Sequence, residues 1–147
     1  MRARVRFIHT GVVGLRPAVQ GDPTMAGRIK SIIGGALTGG VVTYFAVQNL
    51  FNPAMPEPAF EAVLGNPIAS SVVYWIVSIL FFDWVVQNTG KTMFTAMVIA
   101  LSQIILVDFN YVLIGRRELV PALVSVGVIL VSWAAVAFVY DKLSEAS

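Results

Sequence analysis

Asp108 is the residue in this sequence with the clearest capacity for chemistry. It lies in the apolar stretch Thr92–Ile114, about five residues beyond the midpoint, or roughly 7–8 Å from the middle of a membrane-spanning helix. A carboxyl group at that depth is costly and calls for a partner, for which Arg116, Arg117 and Tyr111 are candidates. Two interpretations stay open: Asp108 handles a proton or cation, or it is a structural carboxyl bound by an arginine or by neighbouring helices.

Two amides share the stretch with Asp108. Gln103 and Asn110 are seven residues apart and therefore lie on one face of a regular helix, whereas Asp108 is rotated by about 200° from Asn110. A helix with two polar sides cannot turn either side to lipid cheaply. We therefore expect other helices to contact this one on both sides, because it is central in a bundle or lies at an oligomer interface.

A second carboxylate, Asp83, lies near the end of the apolar stretch Pro67–Val86, one turn before Gln87 and close to Lys91. We expect it to sit among hydrated headgroups. Asp83 and Asp108 belong near opposite membrane faces, so they cannot act as one acid pair in general acid–base catalysis. They could be two stations along a path.

Small residues crowd the first apolar stretch. Gly35 and Gly39 form a G-x-x-x-G pattern, with Ala36 and Gly40 beside it. This spacing predicts a face that another helix can approach closely, and the partner can be internal or a second copy. The aromatic residues are interpreted as anchors at the membrane interfaces, among them Phe45, Trp75, Trp84, Trp133 and Tyr140.

The sequence also excludes several kinds of site. It has no cysteine, and its single histidine, His9, precedes the apolar stretches. Thiolate chemistry and the usual histidine ligands of haem, copper or catalytic zinc are therefore missing. We predict no cofactor, no metal site and no enzymatic activity.

The elements that carry these residues are four apolar stretches, each close to the roughly 20 residues that cross a bilayer. The chain is 57% hydrophobic and only 12% charged. We predict an all-α integral membrane protein, a bundle of four transmembrane helices in residues 31–141, between a basic segment 1–30 and a short tail 142–147. Met25 is an alternative start. The stretches are Ile32–Leu50, Pro67–Val86, Thr92–Ile114 and Leu119–Tyr140.

Charge predicts the orientation. Four crossings put segment 1–30, Lys91 and Lys142 on one side and only Arg116 and Arg117 on the other. Because basic residues favour the cytoplasmic side, both termini are predicted to be cytoplasmic. The Arg116–Arg117 pair opposes this bias and is expected to have a partner. The bases of segment 1–30 are Arg2, Arg4, Arg6, Arg16, Arg28 and Lys30.

These features predict a non-enzymatic small integral membrane protein that acts by helix association. It would be an accessory or assembly subunit of a membrane complex, or a homo-oligomer. The alternative is a small oligomeric ion- or proton-coupled transporter or channel that uses Asp108. The expected partners are the lipid bilayer and other membrane subunits or a second copy, and not nucleic acid. The expected location is the bacterial cytoplasmic (inner) membrane.

Overall fold

The computed structural model describes residues 25–55 and 64–145. These residues form four long helical rods and no strand. The first rod, α1, comprises the α-helix Met25–Ala46, a π-helical segment Val47–Phe51 and the short helix Asn52–Ala54. The second rod, α2, is Pro67–Thr89. The third, α3, comprises Thr92–Gln103, the π-helical segment Ile104–Phe109 and Asn110–Leu113, and the fourth, α4, is Leu119–Glu145.

All four rods are long and apolar enough to cross a membrane. The first begins earlier than the sequence predicted, since Met25–Lys30 are already helical. Three parts of the predicted organisation lie outside the described residues: segment 1–24 with His9, residues 56–63 of the first connection, and residues 146–147 of the tail.

The ends of α2 follow from local chemistry. The Asn66 side chain accepts hydrogen bonds from the backbone N–H groups of Ile68 (2.9 Å) and Ala69 (3.3 Å), and Pro67 takes the first helical position, where no N–H is needed. At the other end Gly90 adopts φ 64°, a left-handed conformation that glycine reaches without strain. The chain therefore turns directly into α3.

The π-helical segment of α1 lies just before Pro53. Pro53 has no N–H, and its ring crowds the carbonyl group of Asn49, four residues earlier. A widened turn accommodates a proline of this kind. The Asn49 side chain also donates a hydrogen bond of 2.7 Å to the carbonyl oxygen of Phe45, which gives a backbone acceptor in this region a partner.

The four rods form a ring. The rod α1 packs against α2 and α4, and α3 packs against the same two neighbours, so α2 and α4 face each other across a diagonal. Large rings fill the diagonal: Trp133 lies 5.6 Å from both Trp75 and Phe82, and Phe82 lies 5.3 Å from Tyr140, measured between ring centroids. The prediction that Trp75, Trp133 and Tyr140 anchor the interfaces is wrong, because all three are buried in the core.

The small-residue face of α1 is used inside the chain. A methyl group placed on Gly39 would overlap the indole ring of Trp75, and one placed on Gly35 would come within 2.6 Å of Cδ1 of Ile79. Both partners belong to α2. Ala36 is half-buried against the same core, whereas Gly40 has room for a methyl group, 3.8 Å from the nearest atom of Trp75. The close approach is thus between α1 and α2.

Candidate functional site

The buried polar side chains of the bundle are the candidate functional site. They lie at several levels between the end where α2 turns into α3, called the Gly90 end, and the end where α3 turns into α4, called the Gly115 end. Within the described ranges 25–55 and 64–145, no group of three acidic or histidine side chains could hold a metal ion.

Asp83 forms the polar centre at the Gly90 end. Its residue is only 3% exposed, and both carboxylate oxygens bind the Arg28 guanidinium, at 3.1 Å to Nε and 3.2 Å to Nη2. The Tyr140 hydroxyl donates a hydrogen bond to Oδ1 (2.5 Å), and Gln87 donates one to that hydroxyl (3.3 Å). The expectation of a hydrated carboxylate is wrong. Arg28, predicted to belong to the basic segment, is part of α1, and its side chain contacts Asp83 on α2.

Asp108 forms the polar centre at the Gly115 end. It is 1% exposed, and its Oδ1 binds the guanidinium of Arg117, one of the partners considered from the sequence. That guanidinium also lies over the rings of Phe51 (5.3 Å) and Tyr111 (5.6 Å), so it is held by one carboxylate and two aromatic faces. Arg116, its neighbour, is exposed.

The second carboxylate oxygen of Asp108 differs from the first. Oδ2 is buried and has no hydrogen-bond partner among residues 25–55 and 64–145. An unpartnered buried oxygen of a charged group carries a desolvation cost. Asp108 lies in the π-helical segment of α3, and π-helical segments occur frequently at functional sites.

Gln103 forms a third centre, between the two carboxylates. Its side-chain oxygen accepts a hydrogen bond from the indole N–H of Trp133 (3.0 Å), and its nitrogen donates one to the hydroxyl of Tyr74 (3.0 Å). The amide therefore ties α3 to α4 and to α2. Trp133 and Tyr140 were missed as site residues, although their seven-residue spacing in α4 puts both on one face of that helix.

The third helix is polar on two sides, but Gln103 lies on the side of Asp108 and not, as predicted, on that of Asn110. Gln103 is half-buried, Asp108 is buried and Asn110 is exposed, so the two inward polar residues are Gln103 and Asp108. The cause is the π-helical segment Ile104–Phe109. A π turn holds about one residue more than an α turn, so residues five apart come to the same side. Consequently α3 is not the central helix and keeps a broad exposed face.

Hydroxyl pairs join α1 to α4. Thr43 and Ser132 lie 3.0 Å apart between their oxygens, and Ser144 donates to Ser31 at 3.0 Å. The two hydroxyl contacts are separated by twelve residues on α1 and by twelve residues on α4, as expected for two antiparallel helices that stay in register. Contacts of this kind hold helices together in a bilayer, where the hydrophobic effect between helices is absent.

A groove of about 510 Å³ runs between α2 and α3 and is open to the outside of the bundle. It extends from Thr89 and Phe94 near the Gly90 end to Leu106 and Val107 on α3, and Trp133 of α4 also lines it. Most of its lining is apolar. Asp83 and Asp108 do not line it, so the groove and the two ion pairs are separate features.

Comparison with known proteins adds no assignment. The chain matches no protein-family model, and no significant match to it was found among curated proteins or solved structures.

Proposed function

We propose that this chain is an integral protein of a bacterial cytoplasmic membrane that crosses the bilayer four times, with both termini in the cytoplasm. The length and apolar composition of the four rods support the crossings. Charge supports the orientation: Lys30, Lys91 and Lys142 lie at the Gly90 end, whereas Arg116 and Arg117 lie at the Gly115 end. The Gly90 end therefore faces the cytoplasm.

We further propose that the protein is not an enzyme and acts by helix association, as an accessory or assembly subunit or as a homo-oligomer. The observation that carries this proposal is that each of the two buried carboxylates, Asp83 and Asp108, is paired with an arginine of the same chain. A carboxylate held in this way is bound to its own bundle and has a structural role. Other molecules would then bind to the outer surface of the bundle.

Asn110 is the polar residue that points to where a partner helix binds. It is exposed on α3, in the short helix that follows the π-helical segment. In a bilayer an exposed amide gains from a hydrogen bond to another helix, and measured gains average about 0.6 kcal/mol. The small-residue face of α1 is already occupied by α2, so α3 is the better candidate for the association surface.

The test is to purify the tagged protein from its native membranes in mild detergent and to measure the mass of the complex. A mass above that of one chain is expected, with a second copy or another subunit present. Asn110→Leu should weaken retention of the partner, whereas Asn52→Leu, an exposed amide on α1 at the same end, should not. A single chain without any partner would contradict the proposal.

A second candidate function is proton- or cation-coupled transport through Asp108. The specific observation in its favour is Oδ2 of Asp108, which is buried and has no partner within the described part of the chain. A carboxylate oxygen in that position could accept a proton or bind a cation. The opposing observation is the Arg117 guanidinium on Oδ1, which already balances the charge.

A further inference from the structure

The groove between α2 and α3 has the proportions of a single hydrocarbon chain. From Phe94 to Val107 it follows α3 over thirteen residues, or about 20 Å. A volume of about 510 Å³ over that length gives a mean cross-section of about 25 Å². The groove is therefore long and narrow, as an extended alkyl chain is.

Most polar groups along the groove are bonded within the bundle, and the exception among the described residues is the hydroxyl of Ser78. Gln103 is bonded to both Trp133 and Tyr74, and the hydroxyl of Ser102 donates to the carbonyl oxygen of Val98 at 2.8 Å. The hydroxyls of Thr89 and Thr95 lie 3.0 Å apart and bond to each other. An occupant therefore needs to supply few hydrogen bonds, which suits an alkyl chain.

A cation stands at the mouth of the groove. Lys91 is exposed in the turn between α2 and α3, and its ammonium nitrogen lies 5.9 Å from the ring centroid of Phe94. Its backbone N–H also contacts the hydroxyl of Thr89. Thr89 and Phe94 both line the groove, so the positive charge sits where the groove reaches the Gly90 end.

We propose that the groove binds one anionic phospholipid from the leaflet at the Gly90 end. One acyl chain lies along α3 as far as Leu106, and Lys91 binds the phosphate of the headgroup. The length of the groove, its mostly apolar lining and the position of the cation all fit this occupant, and basic residues beside transmembrane helices attract anionic headgroups. This site is separate from the association surface at Asn110 and does not depend on it.

The experiment is native mass spectrometry of the protein in mild detergent, titrated with dioleoyl phosphatidylglycerol or with dioleoyl phosphatidylcholine. One bound phosphatidylglycerol per chain is expected, about fivefold more tightly than phosphatidylcholine. Lys91→Gln should remove this preference, so that phosphatidylglycerol binds no more tightly than phosphatidylcholine. The matched control is Lys30→Gln, another exposed lysine at the same end, which should keep the preference.

A second pair of variants tests the groove itself. Ser102→Phe fills it and should reduce binding of both lipids, whereas Ser71→Phe, on the exposed face of α2, should not. Equal binding of the two lipids together with an inert Lys91→Gln would overturn the proposal. So would a dimer that dissociates in Ser102→Phe, because the groove would then belong to a protein interface. If Ser102→Phe fails to fold, the headgroup preference can still be measured with Lys91→Gln, because Lys91 lies in an exposed turn.

Discussion

Asp83 and Asp108 are both buried next to an arginine, but they are bound in different ways. Asp83 uses both oxygens and joins three rods, through Arg28 of α1 and Tyr140 of α4. Asp108 uses one oxygen and binds an arginine only nine residues away. Asp83 therefore holds the bundle together, whereas Asp108 fixes the turn between α3 and α4.

Asp83→Asn tests the first of these roles. It leaves the positive charge of Arg28 without its carboxylate, and breaking a buried pair typically costs about 3–5 kcal/mol. For Asp83→Asn the loss of unfolding free energy should be about 3 kcal/mol or less, because the Arg28 side chain is 16% exposed and water can solvate part of its charge. Tyr140→Phe removes two hydrogen bonds, to Asp83 and from Gln87, and should cost about 2 kcal/mol. Thermal unfolding in detergent measures both, and an unchanged midpoint for Asp83→Asn would refute the structural role.

Asp108→Asn separates the two candidate functions. If the carboxylate is structural, the variant should lose stability, and adding Arg117→Gln should restore part of it. Arg116→Gln is the matched control and should restore none, since Arg116 is exposed. If Asp108 carries a proton or cation, the variant should keep its stability and lose flux in liposomes. Thermal unfolding and flux are measured on the same preparations, and normal behaviour in both assays would exclude either role.

The two carboxylates also show what one sequence can reveal. Arg117 could be named as a candidate partner of Asp108 because the two are close along the chain. Arg28 and Asp83 are 55 residues apart, and their contact depends on which helices become neighbours. That arrangement follows from side-chain packing among four similar apolar helices, and hydrophobicity alone does not distinguish the possible pairings.

At the scale of elements, the π-helical segment of α3 decides which residues face inward. Positions extrapolated at 100° per residue put Gln103 on the side of Asn110 and away from Asp108. The widened turn Ile104–Phe109 instead brings Gln103 and Asp108 inward together. In this arrangement Gln103 contacts Trp133 and Asp108 contacts Arg117, and a regular periodicity of 3.6 residues applied to the sequence cannot predict a π turn.

The contact between α1 and α2 can be tested with two adjacent glycines. Gly39→Ala should destabilise the bundle by roughly 1–3 kcal/mol, because its methyl group meets the ring of Trp75, which is itself packed against Trp133. Gly40→Ala is the control, since its methyl group has room, and it should be neutral or slightly stabilising. Thermal unfolding measures the difference. Equal midpoints for the two variants would mean that α1 does not approach α2 so closely.

At the scale of the whole molecule, the paired charges alter the balance between the two ends. Asp108 neutralises the charge of Arg117 at the Gly115 end. The exposed charge of Arg116 then opposes the predicted orientation at that end. At the Gly90 end Lys30 and Lys91 are exposed. The number of helices that are long and apolar enough to cross a membrane could be predicted from the length and apolar composition of the stretches. The orientation rests on this charge difference.

Cysteine labelling tests that orientation. The chain has no cysteine, so single cysteines can be introduced without a background signal. Leu64→Cys, exposed at the start of α2, should react with a membrane-impermeant maleimide in spheroplasts. Glu145→Cys, exposed at the end of α4, should react only after permeabilisation. Labelling of both variants in denaturant controls for reactivity. The reverse pattern would place the Gly90 end outside and would move the proposed lipid site to the outer leaflet, because Lys91 lies at the same end as Glu145.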